Sequence, residues 1–480
     1  MKSLPNILWI CTDQQRADTL GCYGNSFVHT PNLDRLASEG ALFENCFSQS
    51  PICTPSRASF LTGRYPRTTR ARQNGQDIPA DEMLITKLLA DNGYTCGLAG
   101  KLHLSTCDPR FCPDIERRID DGYKVFHWSH HPNPDWPKNA YAQWLAENDV
   151  SYETPALDGT WQVRKGMPEQ YHQTTWCADK TIEFITEQAQ QGSPWLFSLN
   201  CFDPHFPFDP PEEYLEPYLD ELDEIPLPVI EEGELENKPR WQKPEFRDDY
   251  HYTGPHHPED MTSRQHRLTR AAYWAMVDLI DAQIGRVLES LDATGQREET
   301  LVIFTSDHGE MLGDHDLYLK GPYFYDPAVR VPLIVSRPGH IKPGRTDTLV
   351  ELMDLAPTVL EAAGLDQHEG MQAKSLWPVL QNINKNLTHR EDVYCEYYYG
   401  MGCEGDPPPY ATMLRTETHK LVVAHGLDQG ELYDLEQNPE ECRNLWDDRE
   451  HKEFKFALMK RLCDRMAYTV DPLPPRRGHF

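Results

Sequence analysis

Asn6-Ile7-Leu8-Trp9-Ile10-Cys11-Thr12-Asp13 carries an unbroken apolar run, 7–11, and closes on an aspartate. A strand that is apolar on both faces needs cover on both sides, as in a parallel sheet flanked by helices. Runs of the same kind recur at 95–101, 195–202, 301–307 and 332–336. Helical patterns lie between and after them, at 31–39, 56–61, 82–92, 179–190, 263–291 and 352–363. This alternation predicts an α/β fold with a large, mostly parallel central sheet flanked by helices. Ligands of such sheets sit beyond the carboxyl ends of the strands. Asp13, Lys101, Asp203 and Asp307 all stand at such ends.

From about residue 392 the pattern changes. Segments 392–398, 411–415 and 419–424 read as antiparallel strands, and 451–468 as a terminal helix. The expected division is a catalytic domain over 1–385 and a smaller C-terminal α+β subdomain, with an antiparallel sheet, over 386–480. Two stretches break the rhythm. Residues 203–262, rich in Pro, Glu, Asp and Tyr, suit either a lid or a surface excursion. Residues 105–170 carry Trp128, His130, His131, Trp136, Tyr141 and Trp144, which suit either a sugar subsite or a packed loop.

The chain has 480 residues, 39% of them hydrophobic, and no apolar stretch of membrane-span length. Its net charge of −30 argues against general binding to nucleic acid or to anionic membranes. An anionic substrate must therefore be drawn in by local cations. Arg57, Arg64, Arg67, Arg70 and Arg72 crowd one stretch, as a solvated basic loop or as an attractive field around an anion site. The 13 cysteines are scattered and odd in number, which reads as reduced thiols. No signal peptide precedes the first strand, so the expected compartment is the cytoplasm.

That basic stretch follows Ser50-Pro51-Ile52-Cys53-Thr54-Pro55-Ser56-Arg57, and Leu61-Thr62-Gly63-Arg64 lies within it. A cysteine alone is most simply a small buried apolar residue. Cys53 followed by Pro55, Ser56 and Arg57 in that order resembles the signature of the type I sulfatases, formylglycine-dependent members of the alkaline phosphatase superfamily. Further blocks resemble that family in its order: 6–15, Gly100-Lys101-Leu102-His103-Leu104, Asp203-Pro204-His205-Phe206-Pro207-Phe208, 305–315 with Asp307-His308, and Lys320. Gly430-Glu431-Leu432-Tyr433-Asp434-Leu435 resembles its C-terminal subdomain.

The resemblance implies an alkaline phosphatase-like fold. It implies that a formylglycine-generating maturation enzyme oxidises Cys53 to an aldehyde whose hydrate is the nucleophile. Asp13, Gln14, Cys53 as formylglycine, Asp307 and His308 would hold a divalent metal. Many relatives have a second aspartate at the Gln14 position and asparagine at the His308 position. Oxygen ligands suit Ca²⁺, and the His308 nitrogen with the lost carboxylate shifts the site toward Mn²⁺. Arg57 would orient the nucleophile and Asp307 take its proton. Lys101 and Lys320 would bind sulfuryl oxygens, His205 would protonate the leaving oxygen, and His103 would bond the second hydroxyl. Asp314 and His315 read as turn residues. The implied activity is hydrolysis of a sulfate ester, first of all a sulfated carbohydrate, through a formylglycine-sulfate intermediate.

Arg72-Gln73-Asn74-Gly75 resembles a segment of phosphonate monoester hydrolases and choline-sulfatase-like enzymes, which makes Arg72 and Asn74 candidate substrate residues. Phosphonate monoester or phosphodiester hydrolysis is therefore one alternative, and choline sulfate hydrolysis another. A choline cage would draw on Trp128, Tyr323, Tyr325 and the Tyr397-Tyr398-Tyr399 run. A non-catalytic binding protein would be expected to have lost Cys53, Lys101 or Asp307, and all are present.

Overall fold

In the computed structural model the apolar runs lie side by side. The structure describes residues 4–133, 136–157, 163–246, 258–385, 387–402 and 405–478. Eight strands form one sheet: β1 (Asn6–Thr12), β2 (Ala41–Phe47), β3 (Thr95–Gly100), β4 (Tyr123–Trp128), β5 (Trp195–Asn200), β6 (Thr300–Ser306), β7 (Arg330–Ser336) and β8 (Gly344–Glu351). Their order is β4-β3-β5-β1-β6-β7-β2-β8. Only β7 runs against its neighbours β6 and β2.

Alternation along β1 shows why both faces are apolar. Leu8 and Ile10 pack into the core under helices Pro31–Ser38 (α1), Gln173–Gln188 and Ser263–Ala293. Ile7, Trp9 and Cys11 point into the opposite core, under Cys53–Thr62 (α2), Ile85–Asp91 and Leu355–Ala362. Three strands of this sheet escape the sequence reading. β4 and β8 are sheet edges with exposed polar positions, and β2 is interrupted by a register shift around Glu44. None presents the continuous apolar run that marks a strand buried on both faces.

A second sheet, of order β12-β11-β10-β9, is wholly antiparallel. Its strands are β9 (Asp392–Tyr398), β10 (Tyr410–Thr416), β11 (His419–Ala424) and β12 (Gln429–Asp434), followed by the helix Lys452–Tyr468. The sheet and the helix after it are tied to the large domain by ion pairs on buried carboxylates. Arg67 pairs with Glu396 at 2.8 Å, and Arg465 with Glu351 at 2.7 Å. Within 203–262, residues 247–257 lie outside the described residues. Of the part before them, the helix Glu212–Asp220 packs on Ser263–Ala293, and 237–242 form a strap against the second sheet, with Lys238 Nζ donating to Tyr433 Oη at 2.7 Å and Trp241 buried. No helix among the described residues is long and apolar enough to cross a membrane.

Candidate active site

The central strands β3, β5, β1 and β6 are adjacent, so Lys101, Asp203, Asp13 and Asp307, just past their ends, are neighbours. Backbone bonds hold the arrangement. Asp13 N donates to Asp203 O (3.1 Å), Lys101 N to Asn200 O (3.0 Å) and Asp307 N to Thr12 O (3.3 Å). Gly100 permits the close packing of β3 on β5. Its φ is +102°, and a Cβ there would lie 1.9 Å from Asn200 O.

Cys53 is the first residue of α2, whose side chains are all buried. Its Sγ lies 3.1 Å from His308 Nε2, 3.1 Å from Lys320 Nζ, 3.7 Å from Lys101 Nζ and 3.7 Å from Asp13 Oδ1. Burial and Asp13 push the thiol pKa up. Lys101, Lys320 and His308 outweigh them, and the net direction is down. A helix N-terminus acts in the same sense. Arg57, one turn further on, fans its guanidinium over three strand ends. It donates to Asp307 Oδ2 (2.8 Å), Lys101 O (3.0 Å) and Asp13 Oδ2 (3.4 Å). Asp13 also pairs with Lys101. Burial alone would raise the Asp13 pKa, but Lys101, Lys320 and Arg57 hold it well below the usual carboxylate range.

Asp13, Cys53, Asp307 and His308 each offer a ligand atom, all within 4.8 Å of one another. His308 Nδ1 lies 2.9 Å from Gly309 O, which turns Nε2 toward the cluster. Burial pushes the His308 pKa down, but Asp307 and Cys53 outweigh it and the net direction is up, so a bound cation would take the place of the Nε2 proton. Two carboxylates, an imidazole lone pair and the position-53 side chain are a donor set that fits a divalent cation. Gln14 borders the cluster. Its backbone N–H donates to Asp307 Oδ1 (3.1 Å), while its side-chain oxygen accepts from Lys320 Nζ (2.7 Å) and its amide N–H₂ donates to Glu310.

His205 Nε2 lies 2.6 Å from Lys320 Nζ, and His205 Nδ1 faces Phe206 O. Burial and then Lys320 push the His205 pKa well down. His205 is therefore a neutral imidazole, placed to accept from Lys320 Nζ. His103 joins Lys101 in the pocket, but not by strand alternation. Its φ is +56°, and the turn is held by the buried Glu116 carboxylate, which accepts from His103 N and Leu104 N at 2.9 Å each. Burial and Lys101 push the His103 pKa well down, and its buried Nδ1 has no hydrogen-bond partner.

These groups line a cavity of about 480 Å³ with Asn74, His130, His131, Tyr152, Thr154 and Arg164. Part of the histidine-rich stretch lines the cavity, while its Trp128, Trp136 and Tyr141 are buried in the core. Residues 134–135 and 158–162 of that stretch lie outside the described residues. Asn74 caps α2, its Oδ1 accepting from Thr54 N at 2.9 Å. Arg72 is placed elsewhere, in a separate surface depression with Tyr398 and Tyr410. Of the five arginines only Arg57 faces the site. Arg64, Arg67 and Arg70 turn to Glu82, Glu396 and Asp81. The aromatic cage does not assemble, because Trp128, Tyr323, Tyr325 and Tyr397 are each 1% exposed in the core and Tyr398 and Tyr399 do not line the cavity. Asp314 and His315 sit in a short 3₁₀ turn, paired with Arg16 and Glu234. Glu116 and Glu310 escape sequence reasoning. Both are buried acceptors for loop N–H groups, and Glu310 adjoins Asp307-His308 with no further signal of its role.

Residues 5–365 match the Sulfatase family, and residues 313–467 match the family described as N-sulphoglucosamine sulphohydrolase, C-terminal. The chain is 30% identical to an arylsulfatase of Clostridium perfringens, over 96% of this chain and 94% of that one. It is 26% identical to an N-acetylglucosamine-6-O-sulfatase of Bacteroides thetaiotaomicron, over 98% and 88%. Its fold matches the phosphonate monoester hydrolase structure from Silicibacter pomeroyi with a TM-score of 0.80 and 26% identity, over 97% and 96% of the two chains. The chain belongs to the sulfatase family and is a sulfuric ester hydrolase.

Proposed function

We propose that this sulfatase acts on a sulfate ester borne by a carbohydrate, releasing the alcohol and inorganic sulfate. The carrying observation is the convergence of the Lys101 and Lys320 ammonium groups on Cys53 Sγ, inside a cavity of about 480 Å³ with a polar and aromatic far wall. The likeness to an N-acetylglucosamine-6-O-sulfatase supports the same substrate class.

Formylglycine at position 53, made by a formylglycine-generating enzyme, supplies a hydrated aldehyde as nucleophile. A divalent cation, Ca²⁺ in this proposal with Mn²⁺ the alternative, would be held by Asp13, Asp307, His308, residue 53 and the Gln14 oxygen, and supplies positive charge to sulfuryl oxygens. The remaining work belongs to the chain's own groups. Arg57 fixes both carboxylates, and Asp307 accepts the nucleophile's proton. Lys101 and Lys320 donate to the sulfuryl oxygens from a preorganised, buried position. Lys320 carries the proton nearest the leaving oxygen, and neutral His205 accepts from it and can return it. His103, neutral and with a free Nδ1, is the acceptor for the remaining hydroxyl proton.

The phosphonate monoester hydrolase reading draws on the fold likeness. Against it, a phosphonate places a carbon substituent where a sulfuryl oxygen would be, so a buried N–H of Lys101 or Lys320 aimed at that oxygen would face an apolar group. Choline sulfate is disfavoured by the missing cage and by the cationic Arg164 in the cavity wall. The test is kcat/KM of enzyme with formylglycine verified by peptide mass spectrometry, on sulfated monosaccharides, choline sulfate and a phosphonate monoester. Highest efficiency on the sulfated sugars is expected, and consistent preference for the phosphonate would overturn the reading.

A further inference from the structure

Among the described residues that line it, the cavity holds one cation that the chemistry at Cys53 leaves unused. Arg164 lies on a short extended segment pinned to the loop that carries His205. Arg164 N donates to Phe208 O at 2.8 Å, and isolated bridges link Val163 with Phe208 and Arg164 with Ala156. Gly166 permits this contact, since a Cβ there would lie 2.0 Å from Asp209 O. The backbone of Arg164 is therefore fixed relative to the reacting groups, and its side chain lines the same cavity as Cys53, Lys101 and Lys320.

Its electrostatic situation differs from theirs. Lys101 pairs with Asp13, and Lys320 donates to Gln14 and His205. Among the described residues the Arg164 guanidinium has no carboxylate at ion-pair distance and no side-chain hydrogen bond, and its Nε is buried without a partner. An N–H of a permanent cation, withdrawn from water and left unpaired, is costly. Asp209 does not relieve it. Burial pushes the Asp209 carboxyl well up despite the opposing pull of Arg164, and its oxygen already accepts from Tyr152 Oη at 3.2 Å. A guanidinium in this state is built to receive an oxyanion, by its planar fork of donors.

We infer that Arg164 is a second anion-binding position of the active site, which takes a carboxylate or further sulfate carried by the same sugar whose reacting sulfate lies at Cys53. The inference rests on the carbohydrate sulfatase reading and narrows it to multiply anionic saccharides. It also accounts for how a chain of net charge −30 accepts such a ligand: the attraction is confined to the cavity, at two separate cationic positions.

The test compares three sugars of one size: a neutral monosulfate, the same sugar with a second sulfate, and one with a sulfate and a carboxylate. Mature wild type should favour one or both doubly anionic sugars in kcat/KM by about tenfold or more, the worth of a hydrogen-bonded charge. The two doubly anionic arms identify which oxyanion is read. In Arg164→Gln that ratio should collapse toward one, mainly through KM, with Arg164→Lys in between. Calorimetric binding of the same sugars to enzyme still carrying Cys53 needs no turnover and should show the same ratios. Absence of turnover on all three would defeat the sulfatase substrate reading, while binding would still decide the role of Arg164. Equal affinity of wild type for all three, or a ratio unchanged by Arg164→Gln, would overturn the inference.

Discussion

Removing the Arg57 guanidinium tests whether the site is held together by charge. The side chain is 1% exposed and its two acid partners 0%. In Arg57→Met the volume is roughly kept, but Asp307 loses the only Lys or Arg within ion-pair distance among the described residues. It retains N–H groups from Gln14 (3.1 Å) and His308 (2.9 Å). Asp13 keeps Lys101. Breaking a buried pair on one side costs about 3–5 kcal/mol, because the abandoned carboxylate stays buried. In chelator the variant should unfold in urea with a stability lower by that amount. Arg57→Lys should fall between, since an ammonium keeps the charge but cannot span three acceptors. A divalent ion meets the same carboxylates, so it should stabilise Arg57→Met more than wild type. The assay is urea unfolding of the three proteins with EDTA and with Ca²⁺. A loss under about 1 kcal/mol in EDTA, or equal stabilisation by Ca²⁺, would refute an electrostatic keystone at Arg57.

Three further outcomes are expected. Gly100→Ala forces a Cβ against Asn200 O at positive φ, and should cost about 3 kcal/mol or more, read as thermal midpoint and soluble yield; wild-type behaviour would contradict the packing of β3 on β5. Replacing Lys101 and His103 together by hydroxyl residues should cost about 3 kcal/mol in kcat/KM on sulfate esters and narrow the preference over phosphonate monoesters; an unchanged ratio would remove both from substrate discrimination. Burial pushes Asp278 up to about 7, so its protonated form favours the fold; that stability is fully present below about pH 4 and is lost as pH rises through 7, amounting to about 4 kcal/mol. Stability of wild type relative to Asp278→Asn should fall over that range, and parallel pH profiles would show Asp278 to be unperturbed.

The sequence carried the class of fold because burial on two faces leaves a local trace. The runs at β1, β3, β5 and β6 are largely apolar and buried at every position after the first, as no solvated strand would be. It also carried the positions at their ends, and the order of residues around Cys53. β2, β4 and β8 left no such trace, being half-covered or bulged, so the sheet's width and order were not legible.

The fate of individual side chains was decided only in three dimensions. Five arginines crowd one stretch, yet Arg57 turns inward to Asp307, 250 residues away, while Arg67 turns to Glu396, 329 residues away. Spacing along a chain says nothing about which distant carboxylate will lie opposite. The same holds for Tyr323, Tyr325 and Tyr397 of the proposed cage, which filled the core beneath the second sheet, and for Arg164, anonymous in sequence and placed in the cavity by pairing with the strand-like segment at Phe208. Local periodicity determines which residues avoid water. Which polar groups then face one another depends on the packing of segments hundreds of residues apart, and on the cost of leaving any of those groups buried and alone.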